Sequence, residues 1–100
     1  MEISAEELRK WLQEQDVLLL DVREAEERAA GYIPGSVHIP MNWVPYRLER
    51  LSKEQTIVVY CAHGVRSLGV TEFLRRQGYQ ASSLRGGIYS WLAVQGTMTR

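Results

Sequence analysis

The sequence predicts an α/β domain built on a mainly parallel sheet, and three observations carry that expectation. Residues 17–20 and 57–60 are apolar without alternation and too short for helices, which suits strands buried on both faces. Segments with apolar residues at helical spacing lie between such runs, so strand and helix patterns alternate along the chain. Each run also stops at a residue with chemistry of its own, Asp21 after the first and Cys61 after the second. Ligands of parallel sheets bind beyond the carboxyl ends of the strands. Asp21 and Cys61 are therefore expected on one edge of the molecule, although they are far apart in sequence.

Each element has a local signal. Ser4 and Glu7 have the spacing of a capping box, and Ile3 with Leu8 that of a hydrophobic staple, so a helix is expected from Ala5 with Leu8, Trp11 and Leu12 on one face. Ile3 can close a very short first strand. Residues 24–30, rich in Glu and Ala, read as a short helix ended by Gly31 and the turn residues Pro34 and Gly35. A short strand is expected over 37–39. Asn42 is expected to cap a helix over 43–51, because Pro45 falls in a first turn that has no intrahelical N–H bonds to lose. Residues 56–60 give the strongest strand signal. A helix over 68–77 follows, with Val70, Phe73 and Leu74 inward and Gly78 as its stop. After a weaker strand at 80–84 and the pair Gly86-Gly87, a last helix carries Ile88, Trp91 and Leu92 at the spacing of a buried face. Trp11, Trp43 and Trp91 are all assigned to the core, with a second reading for Trp43 and Tyr46 as a wall of the site.

One hundred residues suffice for one core, hence one domain. Twelve basic and twelve acidic residues cancel, which removes the electrostatic footprint of a nucleic-acid binder. A single cysteine forms no internal disulfide, and with only two histidines beside it no structural zinc site and no other cofactor is expected. The acidic amino terminus does not read as a signal peptide, and no apolar run approaches the ~20 residues that span a bilayer. A soluble protein of the reducing cytoplasm, with no membrane partner, is the expectation.

The chemistry concentrates in Cys61-Ala62-His63-Gly64-Val65-Arg66-Ser67. A strand end, a glycine-containing loop and a helix start collect free N–H groups and the positive end of a helix dipole around one point, which favours an anion. If that anion is the Cys61 thiolate, the cysteine becomes a nucleophile near neutral pH. Gly64 lets the backbone curl into an anion-binding nest. Arg66, a cation at a helix start, needs an anionic neighbour, either Asp21 or Glu24 in a salt bridge, or an anionic substrate, and both can hold. Ser67 reads as a helix cap whose hydroxyl can also donate to a sulfur anion, and His63 as a loop residue that steers or binds substrate.

These residues resemble the C-x-x-G-x-R-S loop of rhodanese-like sulfurtransferases. Leu20-Asp21-Val22-Arg23 resembles the family's L-D-V-R motif, residues 31–40 (GYIPGSVHIP) its G-H-I-P-G-A-x-x-I-P motif, and Gly86-Gly87-Ile88-Tyr89-Ser90-Trp91 its closing G-G-x-x-x-W. Tyr32 stands where the family often has His. The resemblance implies a rhodanese-like three-layer fold of about five strands with helices on both faces, in one domain over residues 1–100 without the inactive partner domain of tandem rhodaneses. It further implies Cys61 as catalytic nucleophile, Ala62, His63, Gly64, Val65, Arg66 and Ser67 as the persulfide-binding loop, and Asp21 and Arg23 in support. The implied partners are a small sulfur donor such as thiosulfate and an acceptor, cyanide or a cellular thiol, or a protein in either role.

Two rivals stand beside that reading. Cysteine phosphatases and arsenate reductases resemble C-x-x-x-x-x-R, whereas four residues separate Cys61 from Arg66, a smaller cradle suited to one sulfur. A persulfide carrier or partner-binding module with little thiosulfate activity would keep the same loop.

Overall fold

The computed structural model describes residues 1–94 and 96–100. Strand β1 (Glu2–Ile3) leads into helix α1 (Ala5–Glu14), whose start is set by a reciprocal cap. Glu7 N–H donates to Ser4 Oγ and Ser4 N–H donates to Glu7 Oε1, each at 3.0 Å. Strand β2 (Val17–Asp21), helix α2 (Ala25–Ala29) and strand β3 (Val37–His38) follow. After two 3-10 segments come β4 (Thr56–Tyr60), α3 (Val65–Arg76), β5 (Gln80–Leu84) and α4 (Gly87–Ala93).

Among the described residues the five strands form one sheet in the order β1-β5-β4-β2-β3, with every pairing parallel. The sheet and its helices are the α/β arrangement expected from the sequence. Alternation along β4 divides the core in two. Ile57, Val59 and Cys61 face Val70 and Leu74 of α3 together with Val44 and Leu51 of the 3-10 region. Val58 and Tyr60 face the opposite way, against Leu8 of α1 and Ile88 and Trp91 of α4. Burying each such aliphatic side chain contributes about 1.5–3 kcal/mol, enough to fix which side of the strand meets which helix.

Several elements differ from the sequence reading. No α-helix forms over 43–51; Met41–Tyr46 and Leu48–Arg50 are 3-10 segments, and Pro40 rather than Asn42 precedes the first. Their bonds run from Trp43 N–H to Pro40 O at 2.8 Å and from Arg47 N–H to Val44 O at 3.1 Å. With the segment starting at Met41, Pro45 is interior, where it opposes α-helix both through its ring and through its effect on Val44. Trp43 (54 % exposed) and Tyr46 (70 %) accordingly stand on the surface and not in the core. Leu12 and Leu92 are also exposed, each on the outer flank of a helix whose inner residues, Leu8 and Trp91, fill the interface. Helix α3 begins at Val65, not near Leu68, so the last three residues of the cysteine loop are helix.

A buried carboxylate holds the top of the sheet. Asp21, with no exposure, accepts from Arg23 N–H at 3.0 Å, Arg23 Nη2 at 2.8 Å, Arg28 Nη1 at 3.2 Å and the Tyr60 hydroxyl at 3.1 Å. Tyr60 gives its single proton to Asp21, so in its 3.0 Å contact with Ser36 the serine is the donor. Arg23 Nη2 also donates to Gly31 O at 2.8 Å and Arg28 Nη2 to Ser36 O at 2.9 Å. Segments 31–36, α2, β2 and β4 are thereby joined through one side chain.

Burial pushes the Asp21 carboxyl up, but Arg23 and the Tyr60 hydroxyl pull harder, and its pKa lies below the ordinary 3.8. Breaking such a buried pair typically costs about 3–5 kcal/mol, and Asp21→Asn should lose that much at neutral pH in urea unfolding. Because the folded-state pKa is depressed, the contribution is complete above 3.8 and fades as pH falls through the folded value. The stability gap between the two proteins should therefore narrow in acid. A gap that is constant with pH would show that the carboxylate charge is not what holds this network.

Candidate functional site

Cys61 leaves the carboxyl end of β4 beside Asp21, whose register partner is Tyr60. The two are on one edge, as the parallel topology requires, yet the pleat sends them to opposite faces. Asp21 bonds Tyr60, while the thiol turns toward α3. The chain then curls through Gly64, which caps α3 with φ +105°. A Cβ at Gly64 would combine that strained conformation with a 3.2 Å approach to Gly86 N. Gly87 is pressed against the loop from the other side: a Cβ there would collide with the Cys61 and Ala62 carbonyl oxygens, and Ile88 N–H donates to Cys61 O at 2.9 Å.

This curl aims donors at the sulfur. Gly64 N–H lies 3.1 Å and Ser67 N–H 3.3 Å from Cys61 Sγ, and Ser67 Oγ lies 3.4 Å from it. Ser67 Oγ is itself 2.8 Å from Ser83 Oγ, so with Ser83 donating, the Ser67 proton is available to a sulfur anion. Cys61 is only 1 % exposed. Burial pushes the thiol up, but the Ser67 hydroxyl and the N–H groups of Ser67, Gly64 and His63 outweigh it, holding the pKa below the ordinary 9.0. The start of a twelve-residue helix adds its partial positive charge at the same point. The arrangement can hold a sulfur anion, the form in which a cysteine acts as a nucleophile.

The other predicted residues divide clearly. Arg66 finds its anion in Glu27, at 2.7 and 2.9 Å, and in neither Asp21 nor Glu24. Ser67 is not the helix cap, a position held by Gly64; it is buried in the first turn with its side chain on the sulfur. His63 is exposed and stacks on Tyr89, ring centroids 4.7 Å apart and 15° from parallel. Val65 is exposed at the first helical position and Ala62 is half-buried under Gly87. Asp21 and Arg23 bond each other and the 31–36 turn rather than the thiol, so they shape the edge on which the loop stands.

Sequence reasoning did not single out Glu27 or Ser83. Ser83 sits in a polar, low-signal strand, and Glu27 belongs to a run of similar glutamates 39 residues from Arg66, so neither had a spacing that could reveal its partner. A separate apolar groove of about 300 Å³ lies between the first 3-10 segment and α3, lined by Met41, Val44, Pro45, Gly69, Val70 and Phe73. Trp43 and Tyr46 are not among its lining residues. Among the described residues no cluster of His, Cys, Asp or Glu side chains is placed to hold a metal ion, and no helix is long and apolar enough to cross a membrane.

Known proteins place this geometry in a family. Residues 4–94 match the sequence profile of the rhodanese-like domain. A sulfurtransferase from Allochromatium vinosum is 40 % identical over 92 residues, covering 90 % of this chain and 86 % of that protein. The thiosulfate sulfurtransferase GlpE of Coxiella burnetii is 31 % identical over 93 residues, covering 92 % and 87 %. A solved structure of a rhodanese-related protein from Thermoplasma volcanium, 32 % identical, superposes with a TM-score of 0.91 over 98 % of this chain and 96 % of that one. Sequence match and shared fold together show that the chain belongs to the rhodanese-like domain family.

Proposed function

We propose that residues 1–100 act as a single cytoplasmic rhodanese domain that moves a sulfane sulfur from a donor such as thiosulfate to a thiophilic acceptor, through a persulfide on Cys61. The observation that carries this reading is the pair of main-chain N–H donors, from Gly64 and Ser67, within 3.3 Å of Cys61 Sγ. In the first step the Cys61 thiolate attacks the outer sulfur of thiosulfate; a new S–S bond forms, the old one breaks, and sulfite leaves with the bonding pair. In the second, cyanide or a thiol attacks the outer sulfur of the persulfide, and Cys61 departs as the thiolate. The loop N–H groups stabilise negative sulfur in both steps, as oxyanion-hole donors do for oxygen. These 100 residues hold one cysteine, so no second thiol of the domain serves as the acceptor.

The pairing of Arg66 with Glu27 also supports a second reading, a persulfide carrier or partner-binding module with little thiosulfate activity. Protein incubated with thiosulfate and examined by intact mass should gain one sulfur atom, lose it on addition of cyanide or a thiol, and gain none as Cys61→Ser. Loading only from a protein persulfide would favour the carrier. Absence of any adduct from several donors would sink both.

The thiol itself can be titrated by its alkylation rate with iodoacetamide. Thiolate, and hence rate, rises with pH, with a midpoint below 9.0 in the native protein. Ser67→Ala removes one donor to the anion and should raise that midpoint by about half to one unit, since such a bond contributes on the order of 1 kcal/mol. An unmoved midpoint would mean that the hydroxyl does not act on the sulfur.

A further inference from the structure

We infer that Glu27 sets the choice of sulfur donor: by occupying Arg66, it disfavours thiosulfate and leaves the loop suited to organic persulfides, R–S–SH. The inference rests on the persulfide reading above. Thiosulfate is a dianion whose sulfonate oxygens need cationic or hydrogen-bonding partners of their own once the loop amides are directed at Cys61 sulfur. Arginine is the side chain best shaped to supply them.

Among the described residues, Arg66, Arg23 and Arg28 each already bond a carboxylate. Arg66 donates through both terminal nitrogens to both oxygens of Glu27, at 2.7 and 2.9 Å, a forked pair that engages the two donors best suited to a second oxyanion. Arg23 and Arg28 are taken by Asp21 and by the carbonyls of Gly31 and Ser36. Arg85 points to Glu2 at 3.7 Å. His63, the remaining basic side chain of the loop, lies flat on Tyr89. Glu27 is not loosely placed, because its Oε1 also accepts Glu24 N–H at 3.0 Å in the cap of α2. The Arg66 guanidinium holds its carboxyl down to about 2, so the anion persists under all ordinary assay conditions.

Thiosulfate must therefore compete with Glu27 for Arg66. An organic persulfide has no sulfonate to place. Cys61 thiolate attacks its outer sulfur, the bond from that sulfur to R–S breaks, and the thiolate R–S⁻ leaves with the pair and takes a proton from water. The outer sulfur keeps its own proton, and no oxidant or reductant enters.

Cysteine persulfide and thiosulfate serve as the two probes, with cyanide as common acceptor. In the native protein kcat/KM should favour cysteine persulfide by about tenfold or more, the scale of one charge-assisted interaction. Glu27→Gln keeps an oxygen for the α2 cap while releasing Arg66, and should lower KM for thiosulfate about tenfold at low salt, with little effect on cysteine persulfide. The double variant Glu27→Gln with Arg66→Gln should lose that gain. Equal or better use of thiosulfate by the native protein, or an unchanged or higher thiosulfate KM in Glu27→Gln, overturns the inference. The donor ratio needs only the native protein, so it decides the matter even if the variant fails to fold. Persulfide formed equally from both donors would remove the donor rule alone, whereas no persulfide from either would remove the sulfurtransferase reading beneath it.

Discussion

A sulfur atom almost sealed from solvent, yet facing main-chain N–H groups at the start of a helix, is the constraint to which the rest of the molecule conforms. Burial alone would keep Cys61 protonated and inert. The N–H groups of Gly64 and Ser67 and the Ser67 hydroxyl reverse that preference, but only if the chain between them turns tightly enough to bring both ends of a four-residue step onto one atom. The turn depends on a glycine at positive φ, on the Gly86-Gly87 backbone lying directly against it, and on Ser83 occupying the far side of Ser67. The last two come from β5 and the turn after it, which neighbour β4 in space and not in sequence.

The pleat keeps two polar systems apart. Asp21 with Arg23 and Tyr60 is directed to one face of the sheet edge, and Cys61 with Ser67 and Ser83 to the other, although Asp21 and Tyr60 are register partners. The separation has a physical use. A buried carboxylate beside the thiol would raise its pKa by like-charge repulsion, undoing the effect of the amides. Placed on the opposite face, the same carboxylate secures the 31–36 turn and α2, and α2 in turn presents Glu27 to Arg66. Structural and reactive charges are thus coupled through the backbone without facing each other.

A cation in the first turn of a helix is disfavoured by the dipole, and Glu27 offsets that penalty from another segment. The charge of Arg66 is in this way balanced by a carboxylate, while charge at the sulfur is met by main-chain amides and the Ser67 hydroxyl.

Alternating apolar runs and helical patterns were enough to predict the parallel sheet and the edge on which Asp21 and Cys61 both stand, because burial on both faces and strand-end position are written in local hydrophobicity. The same holds for the Ser4–Glu7 cap and the cysteine loop, whose residues act within a few positions of one another. The 43–51 segment was misjudged because one proline's effect depends on where the helix starts, which neighbouring residues settle by packing. Glu27, Ser83 and the outward turn of Trp43 were illegible for a different reason: each depends on a partner or a surface supplied by a distant strand or helix. Sequence alone therefore determined the architecture and marked the cysteine loop, while tertiary structure decided which charges surround it, since pairing between side chains 39 residues apart follows from the packing of the sheet and from no periodicity in the chain.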